Sequence, residues 1–311
     1  MIVQTLVILP GVLTTSHFEV LTAARSLGTV AVVSLGEPDV EVLARFGVDR
    51  VHVPDFDGHP LDPAVVADAA AGVIRESRPD AVLLASTFAG KAIAARLAVL
   101  FDGGAIVDVT GLRVDGARVI ASKSVLAGTW DTECEVTRGL PVFAVKPTSF
   151  EPVEAPGGAV AVVRVAAELS DAARAVTLEA LVPRPESGRP ALNEARVVVA
   201  GGRGLDGDFS LVEQLADALG GAVGATRVAT DEGWIDHSAQ IGQTGVTIAP
   251  KLYIGAGDAG AVHHTGGMRA AEVIVAINTD SEAPIFELAD FGVVGDAAEV
   301  LAQAIEALRE R

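Results

Sequence analysis

Residues 251–280 read KLYIGAGDAGAVHHTGGMRAAEVIVAINTD, two apolar strand-like runs around a stretch holding five glycines and two adjacent histidines. The apolar run from Lys251 sets a strand. Gly255, Gly257 and Gly260 let the main chain turn and bring backbone N–H groups against something flat or anionic, and Asn278 and Asp280 cap the next strand. Gly255-x-Gly257-x-x-Gly260, with an acidic Asp280 about 20 residues on, satisfies the dinucleotide fingerprint. A parallel crossover in such a unit calls for a helix of roughly 10 to 12 residues. Only residues 261–269 are free for it, and Thr265-Gly266-Gly267 interrupts them. A nicotinamide-type Rossmann turn at 255–260 and a purely structural glycine turn both stay open on this segment alone.

Working outward, the same strand-then-helix alternation recurs on both sides. Upstream, ARVVVAGGRGL is a strand entering a glycine-rich turn, and Leu211, Val212, Leu215, Ala218 and Leu219 make a helical apolar face ended by Gly220. Downstream, Asp296-x-x-Glu299 is a capping box opening a helix with Val300, Leu301, Ala304, Ile305 and Leu308 on one side. In the first third, TLVIL precedes a capping box at Ser16-x-x-Glu19 and a helix ended by Gly28; TVAVVS is the next strand. Pro38 and Pro63 are read as first-turn prolines of helices, and Gly47 as a helix end. The run AVLLAS after Asp80 has the look of a buried parallel strand, with a helix from Phe88 to Leu100 after it.

From Gly104 to Leu181 the pattern changes to short β-rich runs, which add antiparallel or mixed strands to the first domain. PRPESGRPALNE, residues 183–194, holds three prolines and no core-forming run, and reads as a linker. The expected organisation is an N-terminal α/β domain over 1–182, that linker, and a C-terminal domain over 195–311 built on a parallel sheet. Both domains are expected to be doubly wound.

Composition narrows the functional classes. The chain has 311 residues, half of them apolar, which supplies two cores. A formal charge of -18, from 23 basic and 41 acidic residues, argues against nucleic-acid binding. A basic protein partner or a merely solvated acidic surface are both compatible with it. The single cysteine, Cys134, excludes internal disulfides and CxxC centres; it fits a reducing cytoplasmic setting and is read as a buried structural thiol. The N-terminal MIVQTLVILPG lacks a basic leader and its apolar stretch of about eight residues is too short to span a membrane, so no membrane insertion is expected.

Chemistry concentrates in the second half. Four turns there follow strand-like runs: GGRG at 201–204, GATR at 224–227, IGQTG at 241–245 and GAGDAGAVHH at 255–264. In a parallel sheet they would gather at the carboxyl edge, where α/β proteins place ligands. Arg203 and Arg227 on glycine-rich turns point to a pyrophosphate for one and a planar ring for the other, against a surface ion pair as the plain reading of each. Of His263 and His264, adjacent on a helix, one is expected to meet a ligand. No nucleophile elbow, P-loop, HExxH or acid–base pair is legible in this half, so the chemistry is expected from a bound cofactor, with no catalytic residues and no metal.

The order GGRGL, GATRVATDEGW, IGQTGVTIAPKLYIGAGDAGAVHH, AINTDSEAPIFELADFGVVGD resembles the alpha subunit of the electron transfer flavoprotein family. The match is nearly continuous over 241–296. LTAARSLG at 21–28, Phe88-Ala89-Gly90-Lys91 and Asp108-Val109-Thr110 resemble that family's N-terminal domain more loosely. The resemblance implies a cytoplasmic heterodimer with a beta subunit, contacted by the N-terminal domain, and an FAD held mainly by the C-terminal domain. It implies an electron carrier, fed by dehydrogenases and emptied into a quinone oxidoreductase or a ferredoxin-type acceptor, with no small-molecule substrate of its own. Two other readings remain: an NAD(P)-dependent oxidoreductase subunit using the 255–260 turn, and a non-redox adenine-nucleotide regulator built on the N-terminal domain.

For individual residues, the resemblance puts Arg203 by the FAD phosphates and Arg227, after Thr226, over the isoalloxazine ring. Gln243 and Thr244, before Gly245, match the family's Gln-Thr at the flavin N5 edge. Gly257, Asp258, Ala259, Gly260 and Ala261 would cradle the pyrophosphate and ribityl region. His264, after His263, would stand near the pyrimidine oxygen, and Asn278, Asp296 and Ala297 at the adenosine end. Four positions depart from the family. His263 stands for a common glutamine and Ala297 for a leucine. Asp258-Ala259 replaces a usual Ile-Ser, which removes a hydroxyl donor and places a carboxylate near the expected phosphates. Two such anions repel by about 1 kcal/mol or more. Asp258→Ser is on that basis expected to tighten FAD.

Overall fold

The computed structural model describes residues 2–10, 12–126, 128–155, 157–182 and 188–310. They form two compact units, one from the described parts of Met1–Ser124 and Asp131–Pro183, the other from those of Val125–Trp130 and Arg184–Arg311.

In the first unit, β1 (Val3–Leu9), α1 (Thr15–Leu27), β2 (Gly28–Ser34), α2 (Val40–Arg45), β3 (Val48–Asp55), α3 (Pro63–Ser77), β4 (Ala81–Ala85) and α4 (Phe88–Leu100) alternate as expected. Then come β5 (Gly104–Val109), β6 (Gly111–Asp115), β7 (Arg118–Val125), β8 (Trp130–Glu135), β9 (Pro141–Val145), β10 (Ala161–Ala166) and α5 (Asp171–Arg174). Seven strands make one parallel sheet in the order β10-β3-β2-β1-β4-β9-β5. Of the short runs after Gly104, β5, β9 and β10 extend this parallel sheet. The antiparallel addition is β6 with β7, in a separate three-stranded sheet with β8. Both sheet faces are covered: Val7 and Leu9 of β1 pack on one side with α1, and Leu6 and Ile8 on the other with α3 and α4.

Two helix starts differ from the local signals. Helix α1 starts at Thr15 with Thr14 as N-cap, and the Thr14 N–H donates to His17 Nδ1 at 3.0 Å, so Ser16 lies inside the helix. Pro38 stands before Asp39, the N-cap of α2, whose carboxylate accepts from Val42 N at 3.0 Å. Pro63 does open α3, and Gly28 and Gly47 sit at helix ends. Cys134 is partly exposed, near Thr132 Oγ1 at 3.8 Å, not buried.

The second unit runs β11 (Val197–Gly201), α6 (Ser210–Ala218), β12 (Ala222–Ala225), α7 (Arg227–Asp231), β13 (Leu252–Ala256), α8 (Val262–Met268), β14 (Val273–Asn278), β15 (Phe291–Val294) and α9 (Ala297–Arg309). Its five strands are parallel in the order β12-β11-β13-β14-β15. Val199 faces α6 and α9, while Val198 and Ala200 face α8. Leu301 and Ile305 of α9 are buried, at about 1.5–3 kcal/mol for each side chain fully removed from water.

The crossover between β13 and β14 needs no helix of roughly 10 to 12 residues. Seven residues, Gly266 and Gly267 included, form α8 and carry the chain between two parallel neighbours. A side chain on Gly267 would run into the backbone of Gly242, so this glycine serves a close approach of helix to loop. Of the proposed linker, 183–187 lie outside the described residues. Its remainder is tied to the second unit, with Arg189 donating to Asp217 Oδ2 at 3.0 Å and Leu192 packed on the core. No helix among the described residues is long and apolar enough to cross a membrane.

Candidate functional site

The second sheet starts in the middle. From β11 the chain steps to β12 on one side and returns to β13 on the other, so the turns after β11 and β13 diverge and leave a crevice at the carboxyl edge. The two turns are stitched backbone to backbone. Gly202 N–H donates to Ala256 O at 2.9 Å and Gly204 N–H to Gly257 O at 3.0 Å. A Cβ on Gly202 would land on the Gly257 carbonyl, and one on Gly257, whose φ is +64°, on the backbone of Gly204. Only glycine fits this crossing.

A cleft of about 310 Å³ opens over it, bordered by Arg203, Thr226, Arg227, Val228, Gln240, Ile241, Gly242, Thr244, Gly257, Asp258, Ala259, Ala261, His263 and His264. Ten of the residues singled out from sequence meet there. Gln243 stands just behind, its N–H donating to His263 O at 2.9 Å and its Oε1 2.9 Å from His263 Nδ1. Gly245 closes the same loop by donating to Gly242 O at 3.1 Å. Gly260 and Asn278 brace the glycine turn from behind: Asn278 Nδ2 donates to Asp258 O at 2.9 Å. Asp296 caps α9 and Ala297 is buried in the core, so neither borders the cleft.

Several expectations change here. IGQTG follows no strand of the sheet; it is a loop hung on β12 by Ile241 N–H to Ala225 O at 2.9 Å and closed by Val246 N–H to Gln240 O at 2.7 Å. Both histidines border the cleft, His263 exposed and His264 buried. Gln240, which no motif indicated, holds the wall: its Nε2 donates to Thr244 Oγ1 at 2.9 Å and its Oε1 accepts from Thr230 Oγ1 at 3.2 Å. Ile241 and Gly242, the first residues of the IGQTG motif, border the cleft as well.

Asp258 requires the largest correction. Asp258 is 3% exposed, and its carboxylate is engaged with groups beneath the glycine turn. Oδ1 accepts from Gly260 N–H at 3.0 Å; Oδ2 accepts from the Tyr253 hydroxyl at 3.2 Å and lies 3.0 Å from His264 Nε2. Burial raises its pKa, but His264, the Gly260 amide and the Tyr253 hydroxyl outweigh that and hold the carboxyl below its ordinary value. Burial, then the Asp258 charge, pushes the Tyr253 hydroxyl well above its ordinary value. An acid–base pair therefore does exist in this half, and Asp258→Ser loses its reason to tighten a ligand.

The open side of the cleft is cationic. Arg203 is exposed and makes no ion pair among the described residues; Arg227 is exposed, with Nε 3.1 Å from Asp231 Oδ2. Thr226 Oγ1 is buried with no hydrogen-bond partner among the described residues. An orphaned hydroxyl costs about 1–3 kcal/mol, which a ligand atom there would recover.

Residues 191–269 match the family described as Electron transfer flavoprotein FAD-binding domain, and residues 8–170 the one described as Electron transfer flavoprotein domain. The chain is 41% identical to Electron transfer flavoprotein subunit alpha of Mycobacterium leprae (strain TN), over 97% of this chain and 96% of that one. It is 42% identical to the protein of the same name from Mycobacterium tuberculosis (strain ATCC 25618 / H37Rv), over 97% and 96%. With that of Bacillus subtilis (strain 168) the identity is 33%, over 96% and 94%. These matches decide against the nicotinamide and the adenine-nucleotide readings: the chain belongs to the electron transfer flavoprotein alpha subunit family and carries that family's FAD-binding domain.

Proposed function

We propose that the cleft at the β11/β13 edge is the FAD site, and that the protein works as the alpha half of a heterodimeric electron carrier. The observation that carries the placement is the glycine crossing, whose close backbone approach lies under a cleft bordered by the orphaned Thr226 hydroxyl and two arginines. That donor set suits a pyrophosphate joined to a flat, electron-accepting ring. Arg203 and the turn from Gly257 to Ala261 would hold the phosphates. Thr226, Arg227, Gln243, Thr244 and His264 would line the ring end, with Gly245 shaping their loop. Asn278, at the end of β14, and Asp296, before α9, would stand toward the adenosine, with Ala297 packed in the core beside them. FAD, when bound, supplies storage for one or two electrons. The protein's part is to orient it, exclude water from one side and place positive charge against a ring that gains negative charge on reduction.

In this reading the first unit, over 1–182, is the surface for a beta subunit, dehydrogenases are the donors, and a quinone oxidoreductase or ferredoxin-type protein is the acceptor, in the cytoplasm and without entering a membrane. The relatives' shared name, subunit alpha, supports a partner chain. The test is co-purification with the neighbouring beta subunit and titration with FAD, read by visible absorbance. A yellow complex whose flavin is released on denaturation is expected; a colourless complex that takes up no FAD would overturn the proposal.

A further inference from the structure

Three side chains under the glycine turn form a buried unit that holding a cofactor does not by itself require. Tyr253 and Gly255 share a face of β13, and the missing side chain at Gly255 leaves room for the Tyr253 ring, which a Cβ there would meet at 3.0 Å. The ring thereby reaches past the strand end to Asp258 and His264. Tyr253, Asp258 and His264 are 0%, 3% and 4% exposed.

His264 Nδ1 lies 3.1 Å from the Ile241 carbonyl oxygen, which can only accept. Nε2 lies 3.0 Å from Asp258 Oδ2 and 2.7 Å from the Tyr253 oxygen. An ionised carboxylate only accepts, so Asp258 Oδ2 at 3.0 Å calls for hydrogen on Nε2, and with Nε2 so occupied the Tyr253 hydroxyl donates to Asp258 at 3.2 Å. In that arrangement every partner of the ring is an acceptor, and it is satisfied when both nitrogens carry hydrogen. Asp258 is the one carboxylate among the described residues bordering the cleft. The other charged groups there, Arg203 and Arg227, are cations, and His263 is engaged with Gln243.

We infer that Asp258 is a positioning residue: it holds His264 in the cleft wall as a buried imidazolium of fixed orientation, so that a cation faces the ligand. A buried cation without a counter-ion would shed its proton, so removing the Asp258 charge removes that of His264 as well. The identity of the ligand rests on the FAD reading; the protonation of His264 does not. The pair also reverses the sign expected from Asp258 as a phosphate neighbour: a neutral residue there weakens an electron-rich ligand.

The full chain, purified with its beta subunit and labelled with 15N-histidine, tests this by the ring nitrogen shifts at pH 7.5. With six histidines in the chain, a His264→Gln sample assigns the signals. Expected are two protonated ring nitrogens on His264 in the wild type and in Tyr253→Phe, one in Asp258→Asn, and two again in Asp258→Glu. One unprotonated nitrogen on wild-type His264 overturns the inference, whether or not Asp258→Asn folds. FAD titrations of the same samples should show several-fold weaker binding by Asp258→Asn; unchanged affinity with an altered protonation state would overturn the claim that the cation faces the ligand. A colourless wild type with a doubly protonated His264 would remove the FAD reading and leave the positioning role standing.

Discussion

The carboxyl edges of the two parallel sheets are made of the same parts and finished differently. In the first unit the ends of β4, β9 and β5 are closed by side chains. Ser86 Oγ donates to Asp108 Oδ1 at 2.8 Å, Lys91 Nζ donates to Oδ2 at 2.8 Å, and Asp108 N–H donates back to Ser86 Oγ at 3.1 Å. Lys146, at the end of β9, is partly buried beside them, and burial lowers its pKa. In the second unit the corresponding edge is finished by glycines and leaves a cleft with an orphaned hydroxyl and two exposed arginines. A parallel sheet thus offers an edge, and the residues at the turns decide whether it is sealed or left open for a ligand.

The comparison breaks most sharply at the glycine crossing. Gly257→Val meets the Gly204 backbone from a φ of +64° and should abolish FAD uptake while destabilising the second unit by about 3 kcal/mol or more, read by visible absorbance and thermal unfolding. Next, Arg203→Ala should weaken FAD by about 2 kcal/mol, with a shallower salt dependence of binding, in titrations at two ionic strengths. Thr226→Val is the sharper probe: FAD binding should fall by about 1 kcal/mol, yet the FAD-free protein should become more stable, because the orphaned hydroxyl is gone. A variant less stable without FAD would mean that Thr226 is already satisfied.

The sealed edge should answer in the opposite sense. Asp108→Asn keeps a residue that tolerates a φ of +58° but removes the Lys91 pair. Both partners are about 40% exposed, so the loss should stay near 0.5–1 kcal/mol in chemical denaturation, with FAD affinity unchanged. The smallest effect concerns His52, buried in β3, whose pKa is lowered from 6.5, first by burial and then by Arg50. Its charged form is disfavoured in the folded state, so below pH 6.5 the unfolded chain binds the extra proton and stability falls with pH. His52→Gln should flatten that fall; an unchanged pH profile would show that His52 does not contribute to it.

Much of this contrast was readable before any coordinates, for a physical reason. Elements whose cause is local, such as α4 from Phe88 to Leu100 or the Asp296 cap of α9, lie where periodicity and capping put them. What depended on distant partners did not. Strand runs after Gly104 carry no mark of which neighbour they pair with, so β5, β9 and β10 were not recognisable as members of the parallel sheet. Gly266 and Gly267 look like helix breakers until Gly242 is seen against the helix. Gln240 has no motif because its task, holding Thr244, exists only after the loop closes. Asp258 was legible as a departure from the family, but not as the partner of Tyr253 and His264, because a carboxylate's direction is set by the fold around it.

Amide hydrogen exchange on the purified heterodimer, with and without FAD, tests the central claim most directly. FAD should slow exchange at 202–204, 226–227, 242–245 and 257–264 while leaving 86–91 and 108–110 unchanged. Protection centred on 86–91 and 108–110, or none at the four turns, would contradict the placement of the site at the glycine-finished edge.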